Sequence, residues 1–325
     1  MAPKLQKERA PTCFANNGRA LSPLPAMRLI KKFKAHSQKE GAGFVVRRPI
    51  GGPHLLDSVA DPFLLLDELG PVEYAKGEFP GAPWHPHRGF DTVMYLKEGE
   101  GAHRDSMGNS GVLRAGDCQW MTAASGIVHD EGRDHPGGTL HGFQCWVNLP
   151  AKHKMDPPKY QDVPSNVIPT FQPSPGVSAK VIAGTCAGVD AVVQTLVPIQ
   201  YIDFVLEPRS TFEHGGESLA AELETVIVYV YSGSGAVGGT EASSGDTIVL
   251  GRNEGGGDGV ILESGAEGMS ALFLAGKPLR EPISRHGPFV MNTREEIMQA
   301  FMDYQNGTLV RHKGTMVDFE GKDEL

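Results

Sequence analysis

Two short stretches of the sequence place potential metal ligands two residues apart. A Trp-His-Pro-His segment holds His85 and His87, and an Ile-Val-His-Asp-Glu segment holds His129 and Glu131. Because successive side chains of a β-strand point to opposite faces, each pair would project from one face of its strand. Two such strands brought side by side would converge four ligands. Because residues 129 and 131 share a face of the strand and residue 130 points to the other, the carboxylate of the set is Glu131 rather than Asp130.

Three imidazoles and one carboxylate form a ligand set of intermediate hardness. Such a set suits divalent Fe, Mn, Ni, Co, Cu or Zn, and it leaves coordination positions open for water, oxygen or a substrate. The arrangement is therefore typical of a catalytic site rather than a closed structural one. The chain has 12 histidines, so one His-X-His can arise by chance, and spacing alone leaves a polar loop as the alternative.

The elements that must position these residues are mostly β-strands. Short β-branched and aromatic runs alternate with turns rich in Gly and Pro, as in a sandwich or barrel. The order of strand, Gly turn, Gly-Asp and strand occurs twice, around residues 98–117 and 231–246, which indicates a duplicated barrel. One helix is predicted from Asn292 to Tyr304, where Asn292 or Thr293 can cap an apolar stripe.

A Pro-rich passage gives the predicted domain boundaries. We expect a disordered N-terminal extension over residues 1–26 and a first barrel with the metal site over 27–156. A linker over 157–175 then leads to a second, metal-free barrel with the helix over 176–306 and a polar tail over 307–325.

Composition narrows the class of protein. The chain of 325 residues is long enough for two domains, and its net charge of −9 argues against direct binding of nucleic acid, which requires a basic face. No apolar run approaches the length of a membrane span, so we expect no membrane partner. The four cysteines show no paired spacing and favour a reducing compartment.

The two ends bear on localisation. The N-terminal residues lack the apolar core of a secretory signal, although a weak organellar transit sequence stays an alternative to a simple extension. The last four residues, Lys322 to Leu325, spell the ER-retention signal, which is read only inside the secretory lumen. We therefore expect a cytoplasmic or nuclear protein, with the endoplasmic reticulum as the alternative.

Longer motifs resemble the pirin family. They include Trp-His-Pro-His-Arg-Gly-Phe-Asp-Thr-Val from Trp84, Gly-Asp-Cys-Gln-Trp-Met-Thr from Gly116 and Gly-Pro-Phe-Val-Met-Asn-Thr from Gly287. The resemblance runs from about Arg28 to about Asn306. It implies two tandem cupin barrels, the first holding a non-haem iron, Fe(II), on His85, His87, His129 and Glu131, with other divalent metals as alternatives.

The resemblance also implies two functions of different classes. One is a quercetin 2,3-dioxygenase, which would open a flavonol or a similar small aromatic substrate with O2, Glu131 accepting the substrate proton as the catalytic base. The other is a nuclear co-regulator that binds a transcription-factor partner according to the redox state of its iron. A catalytically silent storage-type cupin is a third reading, which the intact ligand set disfavours. We expect a monomer.

Other residues near these motifs have simpler interpretations. His103, His135 and His141 are expected to be surface or hydrogen-bonded histidines rather than ligands. Asp91 stands where many cupins have a liganding glutamate, but the resemblance implies that this position is not a ligand in pirins. In the second half, Glu213 and His214 are the nearest counterpart of the metal motif, and no His-X-His accompanies them.

Overall fold

The computed structural model describes residues 24–133, 135–254 and 257–317, together with residue 319. Most of the predicted N-terminal extension and the Lys-Asp-Glu-Leu ending lie outside these residues. The predicted all-β architecture of two barrels with a short C-terminal helix is confirmed. None of the helices in the described residues has the length and hydropathy of a membrane span.

The first barrel encloses a cavity between two antiparallel sheets. Its elements follow one another as β1 (Arg28–Lys34), β2 (His36–Glu40), β3 (Phe44–Ile50), α1 (Asp57–Ala60), β4 (Phe63–Tyr74), β5 (Ala82–His87), β6 (Phe90–Glu98), β7 (Glu100–Asp105), β8 (Ser110–Arg114), β9 (Cys118–Thr122), β10 (Ile127–Arg133), β11 (Gly138–Asn148) and β12 (Lys159–Val163). The larger sheet has the order β2-β3-β4-β11-β6-β9-β12, and the smaller has β5-β10-β7-β8.

The second barrel is built around one strongly curved sheet. Its elements are β13 (Thr170–Ser174), β14 (Val177–Ala183), β15 (Thr185–Cys186), β16 (Val189–Asp190), β17 (Ile199–Leu206), β18 (Thr211–Gly215), β19 (Thr225–Val237), β20 (Thr240–Ser243), β21 (Asp246–Gly251) and β22 (Gly259–Gly276). After it come the hairpin β23 (Ser284–His286) and β24 (Phe289–Met291), α2 (Arg294–Gln305) and β25 (Thr315–Val317). The path of the sheet is β21-β19-β22-β17-β14-β13.

Alternation along strand β11 explains how the barrels pack. Phe143 and Cys145 lie in a buried cluster that also contains Tyr201 and Tyr229 of the second barrel, so this face joins the two halves. Gln144 lies between them in the sequence and lines the cavity on the other face. The larger sheet of the first barrel thus packs against the second barrel with one face and borders the cavity with the other.

The interior of the second barrel is filled by side chains. A second buried cluster packs Ile202, Phe204, Val228 and Phe273 together with residues from β14, β21 and the long strand β22. Dense packing of this kind leaves little room for a ligand. Only the first barrel of the described chain therefore combines a large cavity with a group of histidines.

The first and the last strand of the described residues each pair with the opposite half. Strand β1 pairs with β21 of the second barrel, and β25 runs parallel to β12 of the first. Strands β12 and β13 lie within the range predicted as a linker. The domain boundaries drawn from the sequence stay predictions, because the strand pairing shows only that terminal strands cross from one half to the other.

Helix α2 forms as its sequence predicts. Thr293 is the N-cap: its hydroxyl accepts a hydrogen bond from the backbone N–H of Glu296, and the Glu296 carboxylate accepts one from the Thr293 N–H. This reciprocal pair is a capping box, which satisfies backbone donors that the first helical turn leaves free. Ile297 and Ala300 are buried against Phe289 and Leu309.

Candidate metal centre

Strands β5 and β10 bring the three predicted histidines together. The two strands are antiparallel neighbours in which His129 faces His85 and Ile127 faces His87. One ring nitrogen from each of His85, His87 and His129 lies within 4.8 Å of the others. The predicted i, i+2 spacing therefore acts as expected: each strand presents its ligands on one face, and pairing places the two faces side by side.

The three imidazoles fit a divalent transition metal. Nδ1 of His87 and both ring nitrogens of His129 are buried. None of these three atoms has a hydrogen-bond partner among the described residues. The Nδ1 of His85 donates to the carbonyl of Pro83 at 2.8 Å, which leaves its Nε2 free to bind a metal. Buried polar atoms without partners are rare, and a bound cation would satisfy one nitrogen on each of these rings.

Burial also favours the protonation state that a metal needs. It lowers the pKa of His87 and that of His129 well below the ordinary value for histidine, and the neighbouring imidazoles lower both further. The backbone at Pro288 opposes the shift at His87 in part. Neutral imidazole is the form that coordinates a metal ion, so these histidines need not lose a proton first at neutral pH.

Glu131 lies at the edge of the histidine group. Its Oε1 is 3.7 Å from Nδ1 of His129, and its side chain lines the same cavity as His85 and His87. The register between β10 and β5 shifts between His129 and Glu131, so Glu131 stands opposite Ala82. Burial raises the pKa of Glu131, and the charges of His85 and His103 oppose that rise. The roles of Glu131 as ligand and as base stay predictions.

The side chain of Asp130 does not line the cavity that Glu131 lines. It pairs across the ladder with Arg104, whose Nε is 3.6 Å from the Asp130 carboxylate, and it is absent from the cavity wall. The guanidinium of Arg104 also lies over the ring of Trp84, at 5.9 Å from its centroid. The alternation predicted for the strand therefore separates the two acids.

Two of the three histidines, His85 and His87, face a cavity of about 610 Å³. Its apolar wall consists of a buried cluster from both sheets: Val46, Leu69, Phe79, Leu96, Leu113 and Leu140. Near the metal ligands, the ring of Trp146 lies 5.4 Å from that of His87, in an edge-on arrangement. A cavity of this size and composition fits a small aromatic molecule.

A segment from beyond the second barrel completes the cavity. Gly287 and Pro288, in the turn between β23 and β24, line it, and Arg88 pairs with Phe289 through an isolated bridge in which the Val290 N–H donates to the Arg88 carbonyl. The buried ammonium of Lys154 donates to the carbonyls of Gly89 and Val290. Burial lowers the pKa of Lys154 to about 8.

Polar groups of the cavity wall were missed by the analysis of the sequence. Arg48 lines the wall and is held by both oxygens of Asp67 and by Glu40. Gln144 and Arg285 also line it. Arg285 lies two residues before the Gly-Pro-Phe-Val-Met-Asn-Thr motif, and only that motif could have drawn attention to this part of the chain.

Three other histidines considered from the sequence have hydrogen-bond partners of their own. His103 contacts Asp162 and Gln119, His141 contacts Glu68, and Nδ1 of His135 accepts from the Gly137 N–H. His103 also lines the cavity, but none of the three belongs to the metal-binding group.

Two further residues considered from the sequence are engaged elsewhere. Asp91 accepts a hydrogen bond from the indole N–H of Trp120, and burial raises its pKa to about 6. In the second barrel, His214 lies against Phe273 and contacts Gln200. The metal-free second barrel expected from the sequence stays a prediction.

Comparisons with known proteins agree with this architecture. The family model described as pirin matches residues 43–147, and the model of the pirin C-terminal cupin domain matches residues 201–310. A crystal structure of quercetin 2,3-dioxygenase from Acinetobacter baumannii superimposes with a TM-score of 0.80 at 33% identity, covering 89% of this chain and all of that one.

Relatives of similar length extend the comparison. Pirin of Homo sapiens is 43% identical over 282 residues, which covers 84% of this chain and 90% of that protein. A pirin-like protein of Solanum lycopersicum is 41% identical over 282 residues, covering 86% of this chain and 91% of that protein. Fold and site thus define a double cupin with a histidine cluster in its first barrel. The chain belongs to the pirin family.

Proposed function

We propose that this protein binds iron at the three histidines and uses it to oxygenate a small aromatic substrate of the flavonol type. The observation that carries the proposal is the opening of the His85, His87 and His129 group into a largely apolar cavity of about 610 Å³. The similarity to a quercetin 2,3-dioxygenase at 33% identity supports it. When bound, the metal would supply Lewis-acid polarisation of the substrate and a site for oxygen.

The chain's own residues supply the rest of the chemistry. The apolar wall holds a planar ring and excludes water from the reacting atoms, which strengthens electrostatic interactions inside the cavity. The indole of Trp146, in an edge-on arrangement with the His87 ring, forms the wall beside the histidines and limits where the substrate can lie. Glu131, at the edge of the histidine group, accepts the proton of the substrate hydroxyl and so generates the more electron-rich anion.

Oxygen uptake tests this proposal. The apoprotein is reconstituted anaerobically with Fe(II), and oxygen consumption is recorded with and without quercetin; a zinc-loaded sample serves as the control because zinc is redox-inactive. We expect uptake only when iron and the flavonol are both present. Absence of uptake, together with capture of a nuclear protein that depends on the iron oxidation state, would favour the co-regulator instead.

A further inference from the structure

One basic side chain of the cavity has no acidic partner. Arg285, on the short strand β23, lines the cavity, and among the residues that the structure describes no carboxylate lies at ion-pair distance from it. Its one hydrogen bond there runs from Nη1 to the carbonyl of Leu64, at 3.0 Å. A guanidinium carries five N–H donors, so most of its capacity is unused.

Arg48, the other arginine of the cavity wall, differs from Arg285 because its guanidinium is bound by carboxylates. Arg48 donates Nε and Nη2 to the two oxygens of Asp67, at 2.6 and 2.5 Å, and Nη2 also to Glu40 at 2.6 Å. Its charge is matched by carboxylates of the protein itself. Arg285 makes no direct contact of this kind among the described residues: burial lowers its pKa, and the charges of Asp57, Asp67 and Glu40 oppose that shift only from beyond ion-pair distance. A desolvated and unpaired charge is costly unless a ligand pairs with it.

The position of Arg285 relates it to the metal site. Its guanidinium lies over the ring of Trp146, 5.1 Å from the centroid, and the same ring lies 5.4 Å from that of His87. Trp146 thus separates the arginine from the nearest metal ligand. A molecule of one or two fused rings could reach from the histidine group to Arg285 across the face or edge of this indole.

A second polar atom lies on the same wall. Gln144, two residues from Trp146 on β11 and on the same face of that strand, has a buried amide oxygen without a hydrogen-bond partner among the described residues. That oxygen would accept a hydrogen bond from a ligand hydroxyl. The wall therefore offers a cation for an anionic group and an acceptor for a hydroxyl.

From these contacts we infer that the cavity takes an aromatic substrate that bears a carboxylate, and that Arg285 binds this carboxylate. Guanidinium and carboxylate match each other in planar, two-point hydrogen bonding, which lysine does not reproduce. The inference rests on the proposed function, keeps its aromatic substrate and metal site, and replaces the flavonol, which has no carboxylate, with an aromatic acid as the preferred ligand. Arg285 is a specificity-determining residue in this account.

Binding of a matched pair of probes tests the inference without turnover. 2-Naphthoate and 2-naphthamide share one shape and differ in charge, and their dissociation constants are measured by calorimetry on the full, metal-loaded chain. We expect the wild type to bind the carboxylate about 10- to 100-fold more tightly than the amide, the range of a charge-assisted hydrogen bond. Arg285→Gln should abolish this preference and leave amide binding unchanged, whereas Arg285→Lys should keep part of it.

Three outcomes would overturn the inference. Equal weakening of both probes in Arg285→Gln would show that the arginine only supports Trp146. A carboxylate preference that survives in this variant would place the carboxylate elsewhere, for example at the metal. Equal affinities in the wild type would show that the site does not select charge. Arg311→Gln, which alters a guanidinium bound to Asp303 and absent from the cavity wall, is the matched control.

The two proposals can fail separately. A carboxylate preference that depends on Arg285, without any oxygen uptake on quercetin, would contradict the dioxygenase and support the binding site. Oxygen uptake on quercetin, with no difference between the two naphthalene probes, would support the dioxygenase and contradict the role of Arg285.

Discussion

The buried guanidinium of Arg88 donates to the carboxylate of Asp303 at 2.7 Å, and this ion pair joins the residue that follows strand β5 to helix α2. The same guanidinium donates from Nε to the carbonyl of Ser125 at 2.6 Å, in the turn before strand β10. A single side chain thus connects the segment after His87, the segment before His129 and a helix that follows the second barrel in sequence.

Removal of the Asp303 carboxylate should destabilise the fold. Asp303→Ala leaves the Arg88 charge buried and unpaired, and we expect the free energy of unfolding to fall by about 3 to 5 kcal/mol. Arg311→Ala removes the exposed partner of the same carboxylate and should cost less than about 1 kcal/mol. Urea denaturation at pH 7 measures both free energies of unfolding. Equal losses would show that the buried ion pair contributes no more to stability than the exposed one.

The contribution of Asp303 should also depend on pH. Burial alone would raise its pKa, but Arg88, Gln299 and Arg311 outweigh that effect and hold the pKa below the ordinary value of 3.8. A carboxylate with a lowered pKa in the folded state stabilises above its unfolded pKa, and this contribution is lost as the pH falls through the folded one. The difference in stability between wild type and Asp303→Asn should therefore be constant from pH 7 to about 5 and shrink below about 4. A difference that grew in acid would contradict the assignment.

Each histidine of the cluster should be required for metal retention. We expect His85→Ala, His87→Ala and His129→Ala to lower the metal content of the purified protein at little cost to folding, because the apolar clusters of the barrel do not depend on them. Elemental analysis measures the metal, and His153→Ala, whose ring contacts Asp156 instead, is the control. Full metal content in all three variants would show that the ligand assignment is wrong.

Substitution of Glu131 should separate proton transfer from metal binding. Glu131→Gln keeps the shape of the side chain but removes its charge, so we expect modest metal loss and a fall in oxygen uptake per bound iron of about 100-fold or more, as for loss of a general base. Asp130→Asn should change uptake much less, because Asp130 contacts Arg104 and is absent from the cavity wall. A larger loss at Asp130 would contradict the proposed base.

Close packing at Gly89 should make this position intolerant of a side chain. Gly89 has a φ of +95°, and a Cβ there would lie 1.9 Å from the carbonyl oxygen of Val290. We expect Gly89→Ala to cost about 2 to 5 kcal/mol, from backbone strain together with overpacking. Gly77→Ala, at a φ of +73° with open space around it, should show only the strain, about 1 to 2 kcal/mol. Thermal unfolding of the two variants compares them, and equal losses would show that the contact with Val290 is easily relieved.

Local patterns in the sequence were sufficient for several features of this protein. The capped helix forms at Arg294–Gln305, close to the predicted range, because a capping box and an apolar stripe act within a few turns. His85 and His87 come together with His129 because strand alternation places residues i and i+2 on one face and strand pairing sets that face beside His129. The separation of Glu131 from Asp130 follows from the same rule. These are short-range consequences of backbone geometry.

Which strands become neighbours was decided only by the tertiary structure. Strand β1 pairs with β21, and the β23–β24 hairpin reaches from beyond the second barrel to wall the metal cavity with Gly287 and Pro288. Backbone hydrogen bonds can form between any two strands, so they do not select which distant strands pair. That selection depends on how the buried faces of the strands fit together. The cavity, and with it the unpaired Arg285 beside Trp146, exists only where these distant segments meet. The sequence by itself therefore determined the type of barrel and which three histidines come together, and the packing of the barrels determined the cavity beside them.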